Sequence, residues 1–226
     1  MSNDPTETIV AHVKVLMSKL AVQLDRLFRG KLRPAHITTL SLIGHIPATW
    51  ALWNNRPILA AVLIAVFGLM DALDGALARA QKSVSKMGMF YDAVTDRLKE
   101  VMIYSGLAMY VAISEPKVYP WVVPAVVGSS ILVSYVKAKG EMAVSSGHHD
   151  KQLLNRAFSQ GISRYEIRMF LLIAGLVTGF LPSFLNLIIA LNLMTASVRF
   201  LEIAKLLNTE DAIDKSSKVT IKSKGN

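Results

Sequence analysis

Six long apolar stretches dominate the sequence and restrict the folds available to it. Each is close to the roughly 20 residues that a helix needs to cross about 30 Å of hydrocarbon. With 52% hydrophobic and 18% charged residues, the 226-residue chain is too apolar for a soluble, disordered or collagen-like protein. The sequence therefore predicts an all-α integral membrane protein with six transmembrane helices, at about residues 36–53, 57–78, 87–113, 119–136, 165–181 and 183–204.

The positive charge of the chain predicts its orientation in the membrane. A net charge of +9 can indicate a nucleic-acid partner, but in a membrane protein Lys and Arg accumulate in cytoplasmic loops. If the N-terminus is cytoplasmic, the outer connections are residues 54–56, 114–117 and the turn at Pro182, which hold only Arg56 and Lys117. We therefore expect a multi-pass protein of the cell (inner) membrane with both termini in the cytoplasm, in contact with membrane lipids and not with nucleic acid.

Two segments flank the predicted membrane domain of residues 34–207. Residues 1–33 carry apolar side chains at three- and four-residue spacing, which predicts an amphipathic interfacial helix lying on the inner leaflet. A soluble helix packed on a cytoplasmic domain is the alternative. Residues 208–226 are polar and Lys-rich, and we expect a cytoplasmic tail that is disordered or held at anionic headgroups.

Four carboxylates stand at the inner ends of the second and third predicted spans. Asp71 and Asp74 are three residues apart, and Asp92 and Asp96 are four apart, so each pair lies on one helix face. If the two helices form an antiparallel hairpin that turns near residues 82–86, all four carboxylates can face one another near the cytoplasmic surface. Charges inside a span are costly, so this cluster needs a compensating partner.

Divalent cations are one such partner, since Mg²⁺ prefers oxygen ligands and keeps positions open for water or substrate phosphates. A pair of such ions would favour phosphoryl transfer, because the ions can neutralise the negative charge that develops when a diphosphate is cleaved. Two alternatives remain: interhelical salt bridges to Arg79, Arg97 and Lys99, or a cation transporter. Transporter sites usually lie near the bilayer midplane rather than at the ends of spans.

The spacing of this cluster resembles that of a known family. Residues 71–96 match the pattern D-x2-D-G-x2-A-R-x8-G-x3-D-x3-D at all eight fixed positions. The chain is similar in this respect to the CDP-alcohol phosphotransferase family. The resemblance implies a homodimeric six-helix enzyme that transfers a phosphatidyl-type group from a CDP-linked lipid, such as CDP-diacylglycerol, to an alcohol and releases CMP.

The resemblance also implies roles for individual residues. Two Mg²⁺ ions, or Mn²⁺ in their place, would be held by Asp71, Asp74, Asp92 and Asp96, and Asp96 would act as general base. Residues 34–38 resemble the family's P-N-x-x-T motif, although Ala35 replaces its Asn. The residues expected to bind the CDP-lipid are His36, Ile37, Thr38, Gly75, Arg79 and Ser85.

The later spans carry indications of the acceptor alcohol. Residues 134–139 resemble the S-Y-x-K-A-R element of the family's bacterial phosphatidylinositol phosphate synthases, and the region around Glu166 resembles a second element of that group, with Tyr165 in place of its Pro. The resemblance implies a cationic pocket for an acceptor that carries a phosphate. Its expected residues are Lys137, Arg164, Arg168 and Arg199.

Inositol 1-phosphate is the expected acceptor, with glycerol 3-phosphate second and serine or an uncharged polyol third. Positive-inside charge and snorkelling alone would also account for Lys139, Arg168 and Lys205. The expected function is thus Mg²⁺-dependent phospholipid synthesis from a CDP-lipid, and the alternative of a different class is cation transport.

Overall fold

The chain forms a bundle of helices. A computed structural model describes the backbone of residues 5–144 and 165–224, and the side chains of residues 15–143 and 165–209. Within these ranges there are seven helices and no strand. They are α1 (Pro5–Leu27), α2 (Pro34–Trp53), α3 (Pro57–Ala80), α4 (Lys86–Ser114), α5 (Val122–Val144), α6 (Tyr165–Thr178) and α7 (Leu181–Lys224).

The helix order agrees with the sequence prediction. Helices α2 to α7 coincide with the six apolar stretches, and α1 coincides with the predicted N-terminal helix. Among the described residues, α3, α5 and the Leu181–Thr209 part of α7 are long and apolar enough to cross a membrane. Helix α4 carries more charged residues than these three helices, and α6, with 14 residues, is shorter than a membrane-spanning helix. The described part of the chain is thus confirmed as all-helical with membrane-compatible segments, whereas the six-span topology stays a prediction.

Local sequence signals set the helix ends around the carboxylates. Pro34 and Pro57 occupy the first turns of α2 and α3, where a backbone N–H is not needed. After α3, Lys82 adopts a left-handed conformation with φ of 52°, and Ser85 then caps α4 by accepting a hydrogen bond from the Gly88 N–H at 3.0 Å. This short connection reverses the chain, and α3 and α4 both pack against α2.

The main hydrophobic core contains residues of all helices from α2 to α7, and within it α2 packs closely against both α3 and α4. Ala48 and Ala51 of α2 and Ala60 of α3 are fully buried, and such small side chains let helix backbones approach one another. At Gly106 of α4, a Cβ atom would lie 2.9 Å from the Thr49 carbonyl oxygen. Any larger residue there would push α4 away from α2.

A second, smaller core fastens α1 to the end of the bundle that carries the four carboxylates. Met17 and Ala21 of α1 pack with Ile37 of α2 and with Ala76 and Leu77 of α3. At the opposite end, the Ser114 hydroxyl donates a hydrogen bond to Asn55 Oδ1 at 2.8 Å and joins the end of α4 to the loop after α2. The bundle therefore has two chemically different ends, one acidic and covered by α1, the other closed by short polar loops.

The outer surface of the bundle is apolar. In the most apolar part of α3, only 22% of the residues are buried within the chain. Exposed hydrocarbon on this scale is costly in water and is the ordinary surface of a helix in lipid. Large exposed side chains on the three membrane-compatible helices include Ile58, Val62, Val66, Leu69, Ile131, Leu132, Leu187, Leu193 and Phe200.

The C-terminal segment differs from its prediction. From Asn208 onward the sequence predicts a cytoplasmic tail that is disordered or held at anionic headgroups, whereas α7 continues as one helix to Lys224. The expectation of disorder is therefore wrong for the described residues of this segment. The physical reason is that residues 183–224 contain no Gly or Pro, so nothing in the local sequence ends the helix before Gly225.

Candidate active site

The four aspartates lie on the two helices that meet near the acidic end of the bundle. Asp71 and Asp74 occupy the last third of α3, and Asp92 and Asp96 follow the start of α4. Asp74 interacts electrostatically with Asp92 and Asp71, and Asp71 also interacts with Asp96. Asp74 is buried, and Asp71, Asp92 and Asp96 are half-buried. The fold therefore gathers the four carboxylates in one region.

Lys99 connects two of these carboxylates. Its Nζ atom lies 2.6 Å from Asp71 Oδ2 and 2.8 Å from Asp96 Oδ1, and the side chain has no exposed surface. The ammonium also lies 5.5 Å from the ring centroid of Tyr165 on α6. Lys99 thus ties α3, α4 and α6 together. The salt-bridge alternative is correct for this lysine, and its position three residues after Asp96 was the sequence signal.

Thr38 holds a third carboxylate. Its hydroxyl lies 2.5 Å from Asp74 Oδ2 and donates a hydrogen bond to it, and both residues are buried. Ile37 and His36 were predicted to bind the CDP-lipid together with Thr38. Ile37 is buried in the smaller core, and His36 is exposed. The His36 ring accepts a hydrogen bond from the Arg33 N–H through Nδ1 at 3.3 Å, which caps α2. Only Thr38 of this group contacts an aspartate.

The other residues predicted to bind the CDP-lipid are Gly75 and Arg79 near the end of α3 and Ser85 just before α4. A Cβ atom at Gly75 would lie 3.4 Å from Arg79 Nη1, so the guanidinium lies against the open backbone at Gly75. Arg79 is exposed, and its predicted role in nucleotide binding stays a prediction. Ser85 uses its hydroxyl as the α4 cap.

Sequence reasoning missed His45, which is fully buried in α2. Its Nδ1 atom lies 2.7 Å from the Ser41 carbonyl oxygen, and its ring interacts electrostatically with Lys99, Asp71 and Asp96. Thr38, Ser41 and His45 recur at three- and four-residue spacing. This polar face inside an apolar helix was the signal that could have identified His45.

The residues predicted to bind the acceptor differ in burial and in the side chains that they contact. Arg168 is 2% exposed, and its Nε and Nη2 atoms lie 2.8 and 2.5 Å from Glu100 Oε1. Arg97 contacts the other oxygen, Glu100 Oε2, at 2.9 Å, and donates to Ser134 Oγ at 2.5 Å. This network joins α4, α5 and α6, so Arg168 has a buried carboxylate partner.

Two further predicted acceptor residues lie in or beside the C-terminal half of α5. Arg199 is 7% exposed and donates from Nη1 to the Val133 carbonyl oxygen at 3.3 Å. Lys137 is exposed and lies 3.7 Å from Glu141 Oε1. Arg164 lies outside the described residues. The structure therefore does not assemble the four predicted residues into one pocket, and acceptor binding by them stays a prediction.

Comparison with known sequences decides the family. The sequence model of the CDP-alcohol phosphatidyltransferase family matches residues 31–201, well over half of the chain. The chain belongs to the CDP-alcohol phosphatidyltransferase family. The matched region begins just before α2 and includes all four aspartates.

Individual relatives are similar over part of their length. Archaetidylinositol phosphate synthase of Pyrococcus horikoshii is 33% identical over 112 residues, which is 50% of this chain and 57% of that protein. Phosphatidylinositol phosphate synthase of Corynebacterium glutamicum is 32% identical over 139 residues, which is 61% of this chain and 59% of that protein. The chain thus spans a little over half the length of these relatives.

A solved structure from the same family has the same fold. Phosphatidylinositol phosphate synthase of Mycobacterium tuberculosis with CDP-DAG bound superposes with a TM-score of 0.68 at 21% identity, over 83% of this chain and 92% of that one. The complex of that protein with manganese and citrate gives a TM-score of 0.67 at 22% identity, over 83% and 88% of the two chains.

The donor chemistry of this family member suits a hard divalent cation. All four acidic side chains offer oxygen ligands, and Asp71 Oδ1 is buried. In the present arrangement, no three His, Asp or Glu side chains of the described part of the chain are close enough together to hold a metal ion. Lys99 forms ion pairs with Asp71 and Asp96, and metal binding by the four aspartates stays a prediction.

Proposed function

We propose that the protein is a membrane-embedded transferase that moves a phosphatidyl-type group from a CDP-linked lipid to inositol 1-phosphate and releases CMP. The observation that carries this proposal is the set of four aspartates at one end of α3 and α4, spaced as in the family to which the chain belongs. The names of two relatives, both inositol phosphate lipid synthases, support the acceptor. The CDP-DAG bound by the structural neighbour supports the donor.

In the proposed reaction, the acceptor hydroxyl oxygen attacks the lipid-side phosphorus and the bond from that phosphorus to the CMP oxygen breaks. Asp96 takes the hydroxyl proton as the new P–O bond forms. Arg79, exposed at the rim, binds the nucleotide phosphate, and Gly75 leaves room for it beside the helix backbone. Thr38 fixes the orientation of Asp74.

Divalent cations belong to the same proposal. The residues that would hold them are Asp71, Asp74, Asp92 and Asp96, and bound Mg²⁺ or Mn²⁺ would neutralise charge on the diphosphate as CMP leaves. The manganese in a complex of the structural neighbour supports a divalent ion.

The membrane arrangement also forms part of the proposal. Helices α2 to α7 would cross the inner membrane with the aspartates at the cytoplasmic side, because nearly all Lys and Arg residues lie towards that side. Helix α1 would lie on the inner leaflet as the interfacial segment. Its contact with α2 and α3 through Met17 and Ala21, and its exposed Leu16, Leu20 and Phe28, support that position. Family resemblance further implies a homodimer.

The test is turnover by detergent-purified protein. CDP-diacylglycerol or its ether-linked archaeal counterpart is incubated with Mg²⁺ and with inositol 1-phosphate, glycerol 3-phosphate, free inositol or serine, and CMP and product mass are measured. CMP release with inositol 1-phosphate alone is expected. Turnover only with another alcohol would replace the acceptor, and an absence of CMP with every pair would contradict the transferase proposal.

A further inference from the structure

Gln81, at the end of α3, joins two parts of the chain that are distant in sequence. Its Nε2 atom lies 2.6 Å from Asp25 Oδ1, near the end of α1, and 2.8 Å from the Leu32 carbonyl oxygen, in the connection between α1 and α2. A carboxylate and a carbonyl group only accept hydrogen bonds, so the amide nitrogen must face them, and each of its two N–H groups has its own acceptor. One side chain thus holds the end of α3 to the end of α1 and to the segment that leads into α2.

The backbone on both sides of this contact turns sharply. Arg29 follows α1 and Lys82 follows α3, and each adopts a left-handed conformation with φ of 52°. The end of α3 is closed by a hydrogen bond from the Ser83 N–H to the Ala78 carbonyl oxygen at 2.9 Å. A residue other than glycine is uncommon at such a φ and is kept there by the contacts around it. The two hydrogen bonds of Gln81 are contacts of this kind, because Gln81 directly precedes Lys82.

Residues predicted to bind the CDP-lipid lie on both sides of the same contact. Arg79 is in the last turn of α3, two residues before Gln81. Thr38 is in the first turns of α2, six residues after Leu32, and Pro34 begins that helix between them. The guanidinium of Arg79 is carried on a long, flexible side chain, so the phosphate positions that it can reach depend on where the backbone at the end of α3 is held. Gln81 therefore helps to set the position of Arg79 relative to the start of α2.

We propose that Gln81 is a positioning residue for the CDP-lipid, which fixes the end of α3 against the end of α1 so that Arg79 is held where the nucleotide diphosphate binds. The inference rests on the transferase proposed above. Both N–H groups of Gln81 are taken up by Asp25 and Leu32, so Gln81 acts through the backbone and not by touching the reacting atoms. It also gives Asp25, in the interfacial helix, a part in donor binding. Loss of the contact weakens binding of the CDP-lipid and leaves the chemical step and acceptor binding unchanged.

The experiment follows CMP release by the full chain purified in detergent, with CDP-diacylglycerol and inositol 1-phosphate varied in turn. Gln81→Met keeps the length of the side chain and removes both donors. Its KM for CDP-diacylglycerol is expected to rise about 10-fold, the effect of one net hydrogen bond. The kcat and the KM for inositol 1-phosphate are expected to stay at wild-type values. Direct binding of CDP-diacylglycerol, measured by calorimetry, is expected to weaken by the same factor.

Two changes at Asp25 test the same contact from its other side. Asp25→Leu removes the acceptor and is expected to raise the KM for CDP-diacylglycerol as Gln81→Met does. Asp25→Asn keeps an acceptor oxygen and is expected to stay close to the wild type. Gln23→Met is the matched control, because Gln23 is exposed on the same helix, and it is expected to keep all wild-type values. The pair of Asp25 variants decides the matter even if Gln81→Met does not fold.

The outcomes separate the inference from the transferase proposal. An unchanged KM for CDP-diacylglycerol in Gln81→Met, or equal rises in both KM values, would overturn the role of Gln81 and leave the transferase intact. Equal effects of Asp25→Asn and Asp25→Leu would overturn it as well. If the wild type releases no CMP, the transferase proposal fails, and calorimetry alone then decides whether Gln81 supports CDP-diacylglycerol binding.

Discussion

The Thr38 hydroxyl donates a hydrogen bond of 2.5 Å to Asp74 and so joins the first turns of α2 to the acidic end of α3. The two residues are 36 positions apart and both are buried. A buried carboxylate that accepts such a bond has a fixed orientation before any ligand arrives. This preorganisation gives the first prediction.

Thr38→Val keeps the shape of the side chain and removes the hydroxyl. The loss of a buried donor is expected to lower the free energy of unfolding by about 1–3 kcal/mol. It is also expected to raise the Mn²⁺ concentration needed for half-maximal CMP release, since Asp74 loses its orientation. Thermal unfolding in detergent and metal titration of activity measure the two effects. Thr178→Val is the control, because this exposed hydroxyl bonds only to backbone groups at the C-terminal end of α6, namely the Ala174 carbonyl oxygen and the Phe180 N–H. Equal effects of both variants would contradict the role of Thr38.

Asp96→Asn tests the general base. The amide preserves the shape of the side chain but cannot take a proton, so CMP release is expected to fall by about 10²–10⁴-fold. Binding of Mn²⁺ is expected to be largely retained. Glu202→Gln, an equivalent change on the exposed face of α7, should leave both quantities at wild-type values. Full activity of Asp96→Asn would remove Asp96 from the base role.

Arg168→Met tests the buried ion pair with Glu100. Without Arg168, the buried Glu100 carboxylate keeps only its contact with Arg97, and the loss of the charged hydrogen bonds from Arg168 is expected to lower stability by about 1.5–3 kcal/mol. The exposed Lys205–Glu202 pair is the comparison, since Lys205→Met should cost about 0–1 kcal/mol. Thermal midpoints in detergent measure both. An unchanged midpoint with a raised KM for inositol 1-phosphate would show that Arg168 binds the acceptor instead.

Arg199→Gln tests the acceptor pocket. Arg199 is a predicted acceptor residue that is 7% exposed and donates from Nη1 to the Val133 carbonyl oxygen of α5. Loss of one charged hydrogen bond, worth about 1.5–3 kcal/mol, is expected to raise the KM for inositol 1-phosphate by about 10- to 150-fold. The KM for CDP-diacylglycerol should stay unchanged. Equal rises in both KM values would place Arg199 outside the acceptor pocket.

The helix order could be predicted from the sequence because it depends on local signals. Apolar runs of membrane-spanning length, Pro34 and Pro57 at helix starts and the connection near Lys82 all act within a few residues. The acidic cluster was predictable for the same reason, since the spacing of Asp71 and Asp74 sets their common helix face. The prediction of disorder after Asn208 was wrong because a polar segment can continue a helix when it contains no helix-breaking residue.

The partners of the buried charges could not be predicted from spacing alone. Arg168 meets Glu100 from 68 positions away, and the contact depends on how α6 packs beside α4. Similarly, Lys99 was one of three candidates for neutralising the aspartates, and only the relative position of α3 and α4 brings it to Asp71. Such contacts follow from helix packing, which sequence periodicity does not determine.

The absence of cysteine from the sequence allows a direct test of orientation. Asn55→Cys lies in the loop between α2 and α3, beside Ser114, and Lys82→Cys lies in the loop between α3 and α4 at the acidic end. If the proposed topology is correct, a membrane-impermeant maleimide labels the Asn55→Cys variant in intact cells and labels the Lys82→Cys variant only after the membrane is opened. The unmodified chain, which has no thiol, gives the background. The reverse pattern would place the aspartates outside, and labelling of both variants in intact cells would show that α3 does not cross the membrane.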